Sequence, residues 1–362
     1  MKAAGSEEKE AKNTVMINDL ISTLNAVGKT TAVYESPDGS KVLILPYGGR
    51  VLGLFASSGG ENFLWTHPAL DSVESARGFY QSGEWHNSGG DRTWLAPEVD
   101  LFFPNFPKLD HYLQPRQLDP GNYRLDGSGG EPCFVNELEL KLSRTQHQVG
   151  LRISKAIIPA LDPLRHERLS PSVEYAGYTL RTSAELLGAG ASGPDHIGIW
   201  NLLQLPHGGD MWIPIYSKCP PKVIMGSILP NDLTVKDRHI QYRMRASGEH
   251  KIGIRAAVTT GRMGYLYQSA EDAALVIRNF FVNPSGEYVD VPWDNTGDFG
   301  YSIQACNIKS GLGSFSELEY HSPAIGGGTG RTCSVDESQV WAYRGDPQTI
   351  RTIAQRLLSP DI

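Results

Sequence analysis

From Thr31 to Tyr343 apolar side chains recur at every second position far more often than at every third or fourth. A period of two puts alternate side chains on opposite faces of a strand, so the chain between these limits reads as β structure, apart from residues 70–121, which show little periodicity. Thr31 to Glu35 and Lys41 to Leu45 flank the turn Ser36-Pro-Asp-Gly39, and Gly48-Gly-Arg50 leads into Val51 to Phe55. Asn62 to Trp65 is expected to be a further strand of this opening meander. Val135 to Leu142 and Val149 to Ile158 form an expected hairpin, with Gly127-Ser-Gly-Gly130 as the turn that precedes it. Tyr178 to Leu187, His196 to His207, Trp212 to Tyr216, Lys222 to Ile228, Ile240 to Arg245, Ile252 to Val258, Leu275 to Phe281, Tyr288 to Trp293, Tyr301 to Asn307 and Gln339 to Tyr343 continue the pattern.

Helical spacing appears only at the ends. Ile17, Leu20, Ile21, Leu24 and Val27 recur before Gly28. Ile350, Ile353, Ala354 and Leu357 follow the Asp346-Pro347 start signal. With 39 Gly and 23 Pro in 362 residues, turns are many. The fold class this implies is all-β, a large antiparallel sandwich with short terminal helices, in one domain from residue 15 to 362 after a disordered tail, 1–14. No helix–strand alternation, GxGxxG, GxxxxGK[ST] or GxSxG occurs, which argues against nucleotide-binding and α/β-hydrolase folds.

Charge and cysteine content narrow the function classes. A formal net charge of -7 without a basic run argues against nucleic acid and against an anionic membrane surface. No apolar run approaches transmembrane length, and no signal-peptide core follows Met1, although the compartment stays open. Cys133, Cys219, Cys306 and Cys333 are too scattered for a zinc motif and are expected to be reduced core residues.

One strand carries the strongest functional signal. In the stretch Gly311 to Gly326, whose strand ends at Pro323, alternation puts Phe315, Glu317, Glu319 and His321 on one face and Ser316, Leu318, Tyr320 and Ser322 on the other. Three titratable groups on one face are either a solvated edge or a site. A second signal is the long segment 70–121, read as a functional loop. Its Gly83 to Glu98 portion supplies Glu84, His86, Asp91, Arg92 and Glu98 with Trp85 and Trp94 among them. Polar groups beside flat rings suit a saccharide, whose hydroxyls bond and whose apolar face stacks. Glu84, His86, Asp91 and Glu98 could also hold a divalent cation such as calcium. Trp200, Asn201, His207 and Asp210, near or at the end of an apolar strand, complete the candidates.

Gly48-Gly-Arg-Val51, Phe63-Leu-Trp65, Gly89 to Glu98, Lys251-Ile-Gly-Ile254, Tyr301 to Asn307 and Gly313 to Pro323 resemble an uncharacterised bacterial family, a domain of unknown function. That family is similar in turn to galactose mutarotase-like proteins. The resemblance implies a β-supersandwich and an aldose 1-epimerase-like isomerase. The catalytic set would be Glu319, or Glu317, as base and His207 or His321 as acid. Arg92, Trp94, Glu98, Asp91, His86, Trp200 and Asn201 would contact a saccharide ligand. The epimerase histidine pattern is missing near Trp200 to Leu205. A non-catalytic carbohydrate-binding module and a glycoside hydrolase or lyase on the same scaffold therefore stand beside the epimerase.

Overall fold

A computed structural model of the chain describes residues 16–126, 132–188, 193–270 and 272–362. Two antiparallel sheets face one another across one large apolar core. Across the first sheet, in spatial order, run Ala32–Glu35, Lys41–Leu45, Arg50–Phe55, Asp91–Ala96, His196–Pro206, Gly313–His321, Tyr301–Ser310, Gly248–Arg255 and Lys222–Met225. The second runs Leu233–Val235, His239–Arg243, Asp210–Pro214, Arg262–Ser269, Asp272–Phe280, Cys333–Gly345, Glu174–Leu187, Gln148–Pro159, Cys133–Lys141 and Arg124–Asp126. The two sheets bury Val42, Leu203, Leu318 and Tyr320 of the first against Tyr178, Leu180, Val276 and Ala342 of the second.

The terminal helices form as expected. Ile17–Ala26 packs Leu20 and Leu24 onto Leu43, Leu45 and Phe55. In Pro347–Leu357 the Asp346 side chain accepts the Thr349 N–H, and Ile350, Ile353 and Ala354 are buried. The proposed tail and the Gly127–Gly130 turn lie outside the described residues.

Several expectations need correction. Asn62 to Trp65 forms no strand, because Asn62 Oδ1 accepts the N–H groups of both Leu54 and Leu64 and curls the chain locally. Segment 70–121 is not one loop: it holds the helix Val73–Gln81, the strand Asp91–Ala96 and the single turn Glu98–Leu101. Tyr288 to Trp293 is irregular, whereas Arg262–Ser269, unmarked above, is a strand. All four cysteines are free, but only Cys306 is buried.

Strand Asp91–Ala96 matters most for the site, and glycine makes its entry possible. Gly89 and Gly90 have φ of +101° and +76°. A Cβ at either would stand 2.3 Å from the Trp65 carbonyl oxygen or 2.2 Å from that of Val51. Only the bare backbone lets this strand dock where it pairs Arg92 with Leu202 and Trp94 with Trp200.

Candidate functional site

Alternation along four adjacent strands builds one polar layer on the outer face of the first sheet. It holds Arg92 and Trp94, Trp200 and Gln204, Glu317, Glu319 and His321, and Gln304 and Cys306. Register sets Gln304 opposite Glu319 and Cys306 opposite Glu317 on neighbouring strands. Lys251 enters from the next strand outward. The layer is buried, with Glu319 at 0% exposure, because two connecting segments cover it. One runs through Phe103 and Tyr112, the other through Asp290 and Trp293. The rings of Phe103 and Trp293 meet at 5.0 Å.

Each charge has a defined partner. Arg92 Nη2 donates to Glu317 Oε1 at 2.8 Å while its guanidinium lies 4.2 Å over the Trp94 ring. Gln204 Nε2 donates to the same oxygen at 2.9 Å. Trp200 Nε1 donates to Glu319 Oε2 at 2.8 Å, and Lys251 Nζ stands 3.4 Å from that oxygen and 3.3 Å from Glu98 Oε2. The Glu98 carboxylate also accepts the Tyr112 hydroxyl at 2.7 Å and Trp293 Nε1 at 2.9 Å. Asp290 accepts the Glu98 N–H at 2.7 Å on Oδ1 and Gln304 Nε2 at 2.5 Å on Oδ2. Beside this layer Arg50 pairs with Asp119 at 2.9 Å, and Asp119 also accepts Trp94 Nε1 at 3.0 Å.

Burial dominates the electrostatics. It lifts the Glu319 carboxyl to about 8, against the pull of Lys251 and the Trp200 hydrogen bond and with the repulsion of Glu317 and Glu98. Asp290 is also pushed up by burial, with Lys251 opposing. Burial works against the Lys251 ammonium, but Glu319, Glu98 and Asp290 outweigh it and hold this lysine above its ordinary value. His321 is driven down to about 3 by burial and by Lys251, so its ring is neutral at pH 7. That ring stacks on Trp200 with centroids 5.4 Å apart, and neither nitrogen has a hydrogen-bond partner among the described residues.

Of the residues singled out from sequence, Glu317, Glu319, His321, Arg92, Trp94, Glu98 and Trp200 come together here. Four do not. Asp91 and Asn201 sit one residue out of phase and face the second sheet, where Asp91 pairs with Arg278 at 2.9 Å and Asn201 Nδ2 donates to the Tyr320 hydroxyl at 2.7 Å. His207 lies at the far end of its strand, five residues or roughly 17 Å beyond the partner of Glu319. There its Nε2 meets the Ala246 carbonyl at 3.3 Å. His86 is tied to the Tyr47 hydroxyl at 2.6 Å within a separate aromatic group. Glu84 is exposed, so Glu84, His86, Asp91 and Glu98 do not converge on a common point.

Sequence reasoning missed Lys251, Asp290, Gln204, Gln304, Cys306, Tyr112 and Trp293. Lys251 had a signal of sorts: a lone lysine ahead of Ile-Gly-Ile in an apolar strand. A surface groove of about 540 Å³ between Leu101, Leu113, Arg116 and Leu142 lies apart from these charges.

The profile of the Family of unknown function (DUF6786) matches residues 18–362. No curated protein matches the sequence. Among solved structures, the chain is similar to a galactose mutarotase-like protein from Lactobacillus casei at 9% identity and a TM-score of 0.47, over 86% of this chain and 100% of that one. A galactose 1-epimerase from Lactobacillus acidophilus shares 8% identity at a TM-score of 0.38, over 87% and 94%. An aldose epimerase homologue from C. elegans gives 8% and 0.38, over 87% and 98%. No helix among the described residues is long and apolar enough to cross a membrane.

Proposed function

Because the chain belongs to the Family of unknown function (DUF6786), its activity has to be argued from its own residues, and we propose a carbohydrate acid–base site of the aldose 1-epimerase type with Glu319 as the base. The observation that carries this reading is the setting of Glu319. It is fully buried, with Oε2 held by Trp200 and Lys251, Oε1 free, and its proton exchanging at about 8. A carboxyl tuned to near neutrality by burial and one cation suits a group that takes and returns a proton.

In the proposed step Glu319, as carboxylate, removes the anomeric hydroxyl proton. The bond from the anomeric carbon to the ring oxygen breaks and its electron pair moves to that oxygen, which takes a proton from the acid. After rotation of the open-chain aldehyde about its C1–C2 bond the steps reverse. Asp290, whose carboxyl burial favours in the protonated form, is the better acid. His321 holds no imidazolium proton at neutral pH and serves instead to bond a hydroxyl. Trp293, Trp94 and Trp200 line the site with flat apolar rings, with Arg92 lying over Trp94 and His321 stacked on Trp200.

Complete occlusion of Glu319 favours a second reading, saccharide binding without turnover. Polarimetry or NMR exchange between α and β anomers, over several aldoses, separates the two. Acceleration that is lost in Glu319→Gln supports the epimerase. Binding without acceleration leaves the binding module, and neither binding nor acceleration with any aldose sinks both.

A further inference from the structure

The covered layer is short of positive charge. Four buried carboxyl groups, Glu98, Asp290, Glu317 and Glu319, face two permanent cations, Arg92 and Lys251. The neighbouring Arg50 is already matched by Asp119. Fully ionised, the cluster carries two unmatched negative charges in a dry setting, which is strongly unfavourable.

The two central glutamates share a second property. Both hydrogen bonds to Glu317 fall on Oε1. On Glu319 the Trp200 bond and the Lys251 contact fall on Oε2, and Oε1 has no partner among the described residues. Each carboxylate is thus fixed by one oxygen and open at the other, as a metal-ligating carboxylate is when outer groups orient it. Cys306 lies directly across from Glu317, and one ligand atom each from Cys306, Glu317 and Glu319 come within 4.8 Å of one another.

Two glutamines at this spot point the same way. The amide NH₂ groups of Gln204 and Gln304 are tied to Glu317 and Asp290, which fixes both amides. Their carbonyl oxygens, buried in the same layer, are left with no donor among the described residues. Buried acceptors without donors call for a cation or a donor from outside the chain.

We propose that Cys306, Glu317 and Glu319 form a site for a divalent cation that accepts a thiolate ligand, zinc being the metal whose chemistry matches. Cys306 binds as the thiolate, its proton passing to solvent. Four carboxylates and one thiolate against Arg92, Lys251 and the ion leave one negative charge, so a single retained carboxyl proton makes the loaded cluster neutral. The ion would occupy the free electron pair of Glu319 and so silence it as a base. The site goes beyond the proposed reaction and does not require it.

The test uses the full chain after chelator treatment. Zinc is titrated against a fluorescent zinc indicator, and cobalt(II) is followed by absorption. One equivalent of zinc is expected, with a sulfur-to-cobalt charge-transfer band. Cys306→Ser should lose the band, and both Cys306→Ser and Glu319→Gln should weaken zinc by about 10-fold or more. Circular dichroism checks the fold of each variant. A triple variant with Ser at 133, 219 and 333 should keep the band, which decides the case if Cys306→Ser does not fold. No band at saturating cobalt, a band lost in the triple variant, or wild-type zinc affinity in a folded Cys306→Ser overturns the proposal. Anomer exchange is measured on metal-free protein, so failure there sinks the epimerase reading alone.

Discussion

Asp91 and Arg92 are adjacent in the chain and serve opposite faces of one sheet: Asp91 pairs with Arg278 of the second sheet at 2.9 Å, and Arg92 pairs with Glu317 in the covered layer at 2.8 Å. The inner pair is wholly buried, and the Tyr178 hydroxyl donates to Asp91 at 2.7 Å. Behind the candidate site the two sheets are therefore joined by a charge pair.

Removing one partner of that pair leaves a buried charge unmatched. Arg278→Met is expected to lower the unfolding free energy by about 3–5 kcal/mol. Adding Asp91→Asn should recover part of the loss. Urea unfolding measures both, and a loss below about 1 kcal/mol for Arg278→Met would refute a structural role for the pair.

Glu319 gives stability a pH slope. Its folded value, about 8, lies above its ordinary 4.5, so between these limits the unfolded chain releases a proton that the folded chain keeps. This contribution is full below about 4.5 and declines as pH rises toward 8. Glu319→Gln should flatten the decline in melts taken from pH 5 to 8. An unchanged slope would place the proton elsewhere, Asp290 being the first group to examine.

His321 acts with the opposite sign. Its folded value of about 3 lies below the ordinary 6.5, so its contribution is full above 6.5 and is lost as pH falls toward 3. His321→Phe keeps the stacking on Trp200 and should make the protein less sensitive to acid across that window. Equal acid sensitivity of variant and wild type would show that the ring takes up a proton in the folded state.

Lys251→Met removes the only ammonium beside Glu319 and Glu98 among the described residues. Without it the Glu319 carboxyl should titrate still higher, and any anomer exchange should shift its pH optimum upward. Lys251→Arg should restore most of the original profile. A profile that does not move in Lys251→Met rules out this lysine as the group that sets the proton affinity of Glu319.

Glu98→Ala cuts the hydrogen bonds to Tyr112 and Trp293 together. Bonds to a charged acceptor contribute about 1.5–3 kcal/mol each, so amide exchange across residues 102–117 should quicken by at least about 10-fold. Acrylamide quenching of Trp293 fluorescence should rise in parallel. Unchanged exchange would mean that ring packing alone holds the cover.

What could be read before the structure follows from geometry that repeats. Glu317, Glu319 and His321 were legible because charge at period two on a strand must share a face. Asp91 and Arg92 show where that logic stops. Alternation separates the two faces, but the phase relative to the core depends on partners such as Arg278, 187 residues away. His207 was misplaced for a related reason: the end of a strand is visible in sequence, but not its distance from a strand 112 residues on. Asp290 and Trp293 sit in a stretch whose alternation reads as one more strand, yet it is irregular, and only tertiary packing brings them over the sheet. Lys251 had no role legible in sequence because its carboxylate partners lie at positions 98 and 319.

The two segments that cover Glu319 share one fastening. Tyr112 and Trp293 reach the Glu98 carboxylate from segments nearly two hundred residues apart, and each ring also packs on Phe103. Neither segment can lift without losing a bond to the same anion, so the two behave as one shutter. Exchange of any guest with solvent would then occur in discrete all-or-none events, at a pace set by the release of Glu98 and not by the guest's own affinity.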